Sequence, residues 1–318
     1  MIVRLQLVAV FVLLSTSAWS DTRLRFDVVP AGGYSFGTTR YRMDATTVIS
    51  QLDFPLDQIV AGGRVELAKL RDSRPDWSVS AEIWHALGDP KGTFDDRDWE
   101  VAGDGTEFLF SSTESHVDGS MTRLRGEITK TALRGGMWDI AVFAGFTYQK
   151  IAQTAIDVSG FQYVTDSGGG GWVYFDYSVR ALTYDIEFYQ SLVGLAPRLY
   201  PDPRIVIEAR LALSPVLYTK DLDNHLLRGF ISESAGYGFG TAARMAVRFE
   251  PTQHVRDGRF FVMLAGDYYH ARTDHPTVVK WYRDVEEESR SAGDILYGVP
   301  HEIVSNQFAL SLQIGLTF

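Results

Sequence analysis

Phe308-Ala309-Leu310-Ser311-Leu312-Gln313-Ile314-Gly315-Leu316-Thr317-Phe318 changes character at every step. Phe308, Leu310, Leu312, Ile314, Leu316 and Phe318 fall on one side, against Gln307, Ala309, Ser311, Gln313 and Thr317. A period of two is that of a strand with one greasy and one polar face. The pattern recurs upstream. Trp138, Ile140, Val142, Ala144, Phe146 and Tyr148 form one such set, and Ile205, Ile207, Ala209, Leu211 and Leu213 another. Tyr237, Phe239, Ala243, Met245, Val247 and Phe249 form a third, and Trp77, Val79, Ala81 and Ile83 a fourth. The opposite faces carry Arg, Glu and Asp as well as Ser, so the chain reads as all-β.

A soluble sandwich alternates in the same way, with its polar face in water. Three features favour a membrane barrel. Arg4, the apolar run Leu5 to Leu14 and the small-x-small site Ala18-Trp19-Ser20 read as a secretory signal peptide over 1–20. The last strand ends on a phenylalanine, as bacterial outer-membrane barrels do. The connections alternate between short and long, the habit of that class. No segment has the roughly 20 apolar residues of a spanning helix. A hydrophobic share of 45% excludes disorder. With no cysteine, the exported chain must be stable without disulfides.

The spacing predicts one domain over 21–318, a ten-stranded antiparallel transmembrane β-barrel with long extracellular loops. Its strands fall at about 24–43, 47–70, 76–89, 117–133, 138–158, 172–194, 203–219, 233–250, 259–274 and 303–318. Both termini then lie at the short-turn, periplasmic end. The long connections 89–116, 160–171, 220–231 and 274–300 face outward. Asp139, Asp185, Glu187, Glu208, Arg210, Arg244 and Arg248 are expected inside, as an ion-paired filling.

Two runs at the outer end carry chemistry. Asp96 and Asp98 follow predicted strand three. In an extended chain they share a side, with Cα atoms about 6.5–7 Å apart. Two such carboxylates can share a proton or hold a water. Asp221-Leu222-Asp223-Asn224-His225 follows predicted strand seven. Asp223 and His225 again share a side, so the carboxylate can orient the imidazole. Strands three and seven lie nearly opposite in a ten-strand ring, roughly 20 Å across. A His-Asp pair facing an Asp-Asp pair is a device for activating water.

These residues resemble the omptin family of outer-membrane endopeptidases, tall ten-strand barrels. The resemblance rests on Ser50-Gln51-Leu52-Asp53-Phe54, Asp96-Arg97-Asp98-Trp99, Glu114-Ser115-His116, Asp221-Leu222-Asp223-Asn224-His225 and Gly315-Leu316-Thr317-Phe318. It implies an enzyme of the omptin aspartic type, with catalytic Asp96, Asp98, Asp223 and His225. It also implies cleavage beside basic residues of cationic peptides or proteins, with Asp221 in the substrate pocket. A second pocket acid is expected on strand one, but Thr39 stands there and no acid lies nearer than Asp44. The crowd of Asp95, Asp96, Asp98, Glu100 and Asp104, and the run Glu286-Glu287-Glu288, are expected to concentrate basic peptides. The resemblance further implies the outer membrane of a Gram-negative bacterium, a site facing the exterior, and lipopolysaccharide as lipid activator. Basic residues in strands that could meet that lipid are Lys130, Arg180 and Arg244, with the alternation putting Arg244 inside. No cofactor, no metal and no nucleic acid are expected, and the chain should be a monomer.

Other candidates are weaker. Ser111, Ser112 and Ser115 beside His116 lack a Gly-x-Ser-x-Gly elbow. Asp95-Asp96-x-Asp98 lacks the later glutamate of a calcium loop. His270 and His275 show no His-Glu-x-x-His. Gly168 to Gly171 has no strand-to-helix context for phosphate. A non-enzymatic adhesin or structural barrel, or a small porin, is the alternative reading.

Overall fold

The computed structural model describes residues 23–45, 47–166, 169–251, 259–285 and 290–318. The expected signal peptide over 1–20 and Glu286-Glu287-Glu288 lie outside them. The strands are β1 (Arg23–Ala45), β2 (Val48–Pro55), β3 (Gln58–Arg71), β4 (Arg74–Ala86), β5 (Phe94–Val101), β6 (Glu107–Arg134) and β7 (Trp138–Asp166). They continue with β8 (Gly169–Asp202), β9 (Ile205–His225), β10 (Phe230–Phe249), β11 (Arg259–Asp274), β12 (Thr277–Trp281), β13 (Ile295–Val299) and β14 (His301–Thr317). Every pairing is antiparallel between neighbours, and β14 closes on β1 from Asp27↔Thr317 to Met43↔His301. β2 with β3, β4 with β5, β11 with β12 and β13 with β14 each make one wall, so the ring has ten.

Local chemistry sets the joints. Asp72 and Ser73 both take positive φ in the two-residue turn from β3 to β4, which suits the twist of a tight hairpin. Gly37 is where β1 changes partner from β3 to β2. Its φ is +134°, and a Cβ there would meet the Asn306 carbonyl oxygen at 2.1 Å. Only glycine fits both demands.

The lipid-facing belt is legible on β14, where Phe308 to Leu316 in steps of two, and then Phe318, are exposed. Ten residues at about 3.4 Å, tilted about 40°, rise roughly 25 Å, the height of an outer-membrane apolar band. An aromatic girdle marks its upper edge. Tyr148, Tyr189, Tyr218 and Tyr237 stand side by side in register on β7 to β10. Phe36 stacks on Phe308 at 5.4 Å, and Tyr268 packs on the same ring. Such rings anchor a barrel at the headgroups.

Inside the belt the lumen is crossed by ion pairs, above a cavity of about 650 Å³ that Asp27, Arg64, Glu66 and Tyr200 help to line. Arg125 meets Glu127 at 2.7 Å, and Arg198 and Arg210 each meet Glu208 at 2.6 Å. Arg244 reaches Glu82 and Asp267, and Arg248 holds Asp27 at 2.7 Å. Asp139, Glu208, Arg210, Arg244 and Arg248 are therefore lumenal as expected. Asp185 and Glu187 are not. The same even-numbered face of β8 points inward from Leu182 to Arg198, and what changes above the girdle is its polarity: Leu182, Tyr184, Ile186 and Phe188 join an apolar cluster with Tyr41, Phe54 and Ile151. Asp185 faces out, paired with Lys150 at 3.5 Å. The cause is the surroundings, because water replaces lipid outside the wall at that height.

The long outer connections are largely paired strand, not irregular loop. β6 begins at Glu107 and β7 runs on to Asp166, so the barrel stands well above its girdle.

Candidate active site

Asp96 and Asp98 sit on β5, a strand where the sequence suggested a loop. β5 is held between β2 (Leu52↔Asp96, Ser50↔Asp98) and β6 (Thr113↔Asp96, Ser111↔Asp98). The break at Gly88 to Gly92 only separates β5 from β4. Phe94, Asp96 and Asp98 point inward, and Phe94 packs on Phe54 at 4.8 Å. Asp98 is buried and Asp96 half-buried, and each keeps one oxygen buried without a hydrogen-bond partner. Asp95 points out, tied to Arg97 at 3.0 Å, and Glu100 and Asp104 are exposed. The acidic crowd thus gives only two carboxylates to the cleft.

β9 presents Asp221, Asp223 and His225 inward and Lys220 outward, as the alternation requires. Asp223 is fully buried, and its Oδ2 lies 2.7 Å from His225 Nε2. The His225 ring stacks on Phe230 at 4.2 Å, and Phe230 packs on Trp281. Register explains this contact, since His225 and Phe230 are partners across the β9–β10 hairpin. Tyr282 donates to Asn224 Oδ1 at 3.1 Å, steadying the same hairpin. With Nε2–H held by Asp223, the other ring nitrogen is left to act as a base.

On β9 the two residues stand five and seven positions above Tyr218, roughly 13–18 Å beyond the girdle. The two pairs act on one another. Burial, and then the Asp98 carboxylate, hold the Asp96 carboxyl well above the usual carboxylate range. Arg228 opposes this, and Asp223 adds to it from β9. Like charges in one dry site cannot all ionise, so the couple retains a proton.

Below the dyad, Asp221 accepts a short hydrogen bond from Ser234, whose oxygen lies 2.9 Å from His275 Nε2. Burial is the main cause that pushes the Asp221 carboxyl up to about 8; Ser234 opposes it and Asp223 reinforces it. His275 packs edge-on to His301, which lies on Tyr41 at 4.1 Å between ring centres. Burial and His275 pull His301 down to about 3, so its ring is neutral. Thr39 is buried and bonded to Ser305 at 2.9 Å, and the acid on its side of β1 is Asp27, far below at the other end of the strand. His301 was missed in the sequence, and His275 was weighed there only with His270 against a metal motif. Continuing the inward phase of Ile303, Ser305 and Gln307 upward would have found His301. Arg180 is exposed above the girdle, Lys130 is tied to Asp76 at 2.7 Å near the short-turn end, and Arg244 is inside.

A lipid-belted barrel with an Asp couple facing a His–Asp pair above its girdle defines a class: a transmembrane barrel with a hydrolytic type of site. The family model described as Omptin family matches residues 37–292. The chain belongs to the omptin family of outer-membrane proteases. The crystal structure of the outer membrane protease OmpT from Escherichia coli superposes with a TM-score of 0.76 at 15% identity, covering 96% of this chain and 99% of that one. The outer membrane protein OprG from Pseudomonas aeruginosa matches with a TM-score of 0.32 at 13% identity, over 92% and 95% of the two chains. The toluene transporter TodX from P. putida gives 0.27 at 8% identity, over 93% and 90%. No curated protein sequence matches the chain.

Proposed function

We propose that this barrel is an endopeptidase of the outer membrane that cuts cationic peptides and proteins beside basic residues, outside the cell. The observation that carries the reading is the His225–Asp223 pair at 2.7 Å sharing an electrostatic site with Asp96 and Asp98. His225 takes a proton from a water, which attacks the scissile carbonyl carbon. Asp223 keeps the ring oriented and stabilises the imidazolium that forms. Asp96 and Asp98 position the water, and the proton they share is available to the carbonyl oxygen as charge develops there. Asp221 receives the basic side chain beside the cut. The enzyme acts as a monomer with lipopolysaccharide as its lipid activator.

The test is cleavage of a quenched dibasic peptide by refolded protein, with and without lipopolysaccharide. Asp98→Ala and His225→Ala are expected to cut the rate by about 10²–10⁴, the usual worth of a positioned acid or base. Heat-modifiable gel mobility checks that both variants fold. Folded variants as fast as wild type would remove these residues from the mechanism.

A further inference from the structure

Asp221, His275 and His301 come from β9, the β11–β12 junction and the start of β14, yet one donor atom of each lies within 4.8 Å of the other two. All three are buried, with exposures of 3%, 9% and 2%. Asp221 Oδ2, His275 Nδ1 and both ring nitrogens of His301 have no hydrogen-bond partner. Buried polar groups are rarely left so, least of all both nitrogens of one imidazole. The backbone is shaped for the cluster as well. A Cβ on Gly236 would sit 2.3 Å from His275 Cγ, so the glycine makes the space the ring occupies. The His275 amide donates to the His301 carbonyl at 2.9 Å, locking the two histidine backbones side by side.

We propose that Asp221, His275 and His301 form a binding site for a divalent first-row transition ion, Zn²⁺ in the first instance. Two neutral imidazoles and one carboxylate are a donor set that borderline ions prefer to Mg²⁺ or Ca²⁺. Three protein ligands leave a fourth position open toward the cleft. Bonds of about 2.0–2.2 Å need donors closer together than the observed spread, so metal entry draws the side chains inward. Ser234 already orients His275 from behind, the outer-shell contact a ligating histidine needs. The site stands independently of the peptidase reading, and it takes the carboxylate which that reading gives to the substrate's basic side chain.

The experiment titrates refolded protein in detergent with Co²⁺, followed by its visible absorption and by displacement with Zn²⁺. One equivalent is expected to bind. His275→Ala and His301→Ala should weaken it by more than the ~10–100-fold typical of losing an outer-shell contact. His225→Ala should bind like wild type. No saturable uptake, or loss in His225→Ala with retention in His301→Ala, overturns the proposal. Should the β14 variant fail to fold, Cu²⁺ electron paramagnetic resonance on wild type still decides. Hyperfine splitting from two imidazole nitrogens supports the site, and splitting from one or none refutes it.

Discussion

Asp221 is a carboxyl whose protonation decides what it can hold. Its folded value lies near 8, raised chiefly by burial. Below that pH the free group is neutral, and above it the group is an anion. A basic side chain entering the pocket therefore meets a full charge only on the alkaline side. The expected outcome is that kcat/KM for an arginine-bearing peptide rises as pH passes through about 8, because kcat/KM reports groups of the free enzyme. A peptide with a neutral residue in that pocket lacks this limb, and Asp221→Asn abolishes it for the arginine-bearing peptide. Parallel pH profiles on the two peptides check this; equal limbs in wild type would remove Asp221 from specificity. The four catalytic candidates were legible in the sequence because i, i+2 spacing on a strand survives any error in strand ends. The meeting of His275 and His301 with Asp221 was not, because His301 lies just above the sequence-predicted start of the last strand and the three residues meet only through pairing between walls.

At the scale of the strand, polarity along one face changes with height. Val142 on β7 is exposed to the lipid belt, and Lys150, eight residues higher on the same face, is exposed above the girdle. Trp138 and Tyr148 bracket Val142, placing it near the middle of the belt. Val142→Arg is expected to cost about 2–4 kcal/mol, the penalty of a lipid-facing cation near the midplane. Lys150→Arg should stay within about 0.5 kcal/mol, as most surface changes do. Guanidinium unfolding midpoints in lipid vesicles check the pair, and equal shifts would mean that the belt is misplaced. This same reversal is why Asp185 and Glu187 were misread. The rule that apolar residues face outward holds only in the membrane, and the outer half of β8 leaves it, so there the apolar Leu182, Tyr184, Ile186 and Phe188 are the inward set. The ten walls themselves were readable, since the period of two does not change when the polarity does. β5 was hidden for a different reason: its three aspartates have poor strand propensity, and pairing with β2 and β6 overrides it.

At the scale of the whole barrel, function follows from what fills it. A site above the girdle needs a floor, and the membrane-level lumen supplies one. Glu127 takes Arg125 and Arg210, Glu208 takes Arg198 and Arg210, and Arg244 bridges Glu82 to Asp267. Above this layer the apolar cluster around Tyr41, Phe54 and Tyr184 closes the bore again, just under the carboxylates. Arginines this deeply paired cannot swing aside cheaply, because breaking one buried pair costs about 3–5 kcal/mol. An ion crossing the barrel would have to break several. Refolded protein in planar bilayers is therefore expected to show no steady conductance at neutral pH, whatever the applied salt. The control is the same sample cleaving peptide, which demonstrates that the inserted barrels are folded. Discrete current steps that grow with salt concentration would mean the layer is open to water, and would restore the porin reading that the ion-paired lumen now opposes.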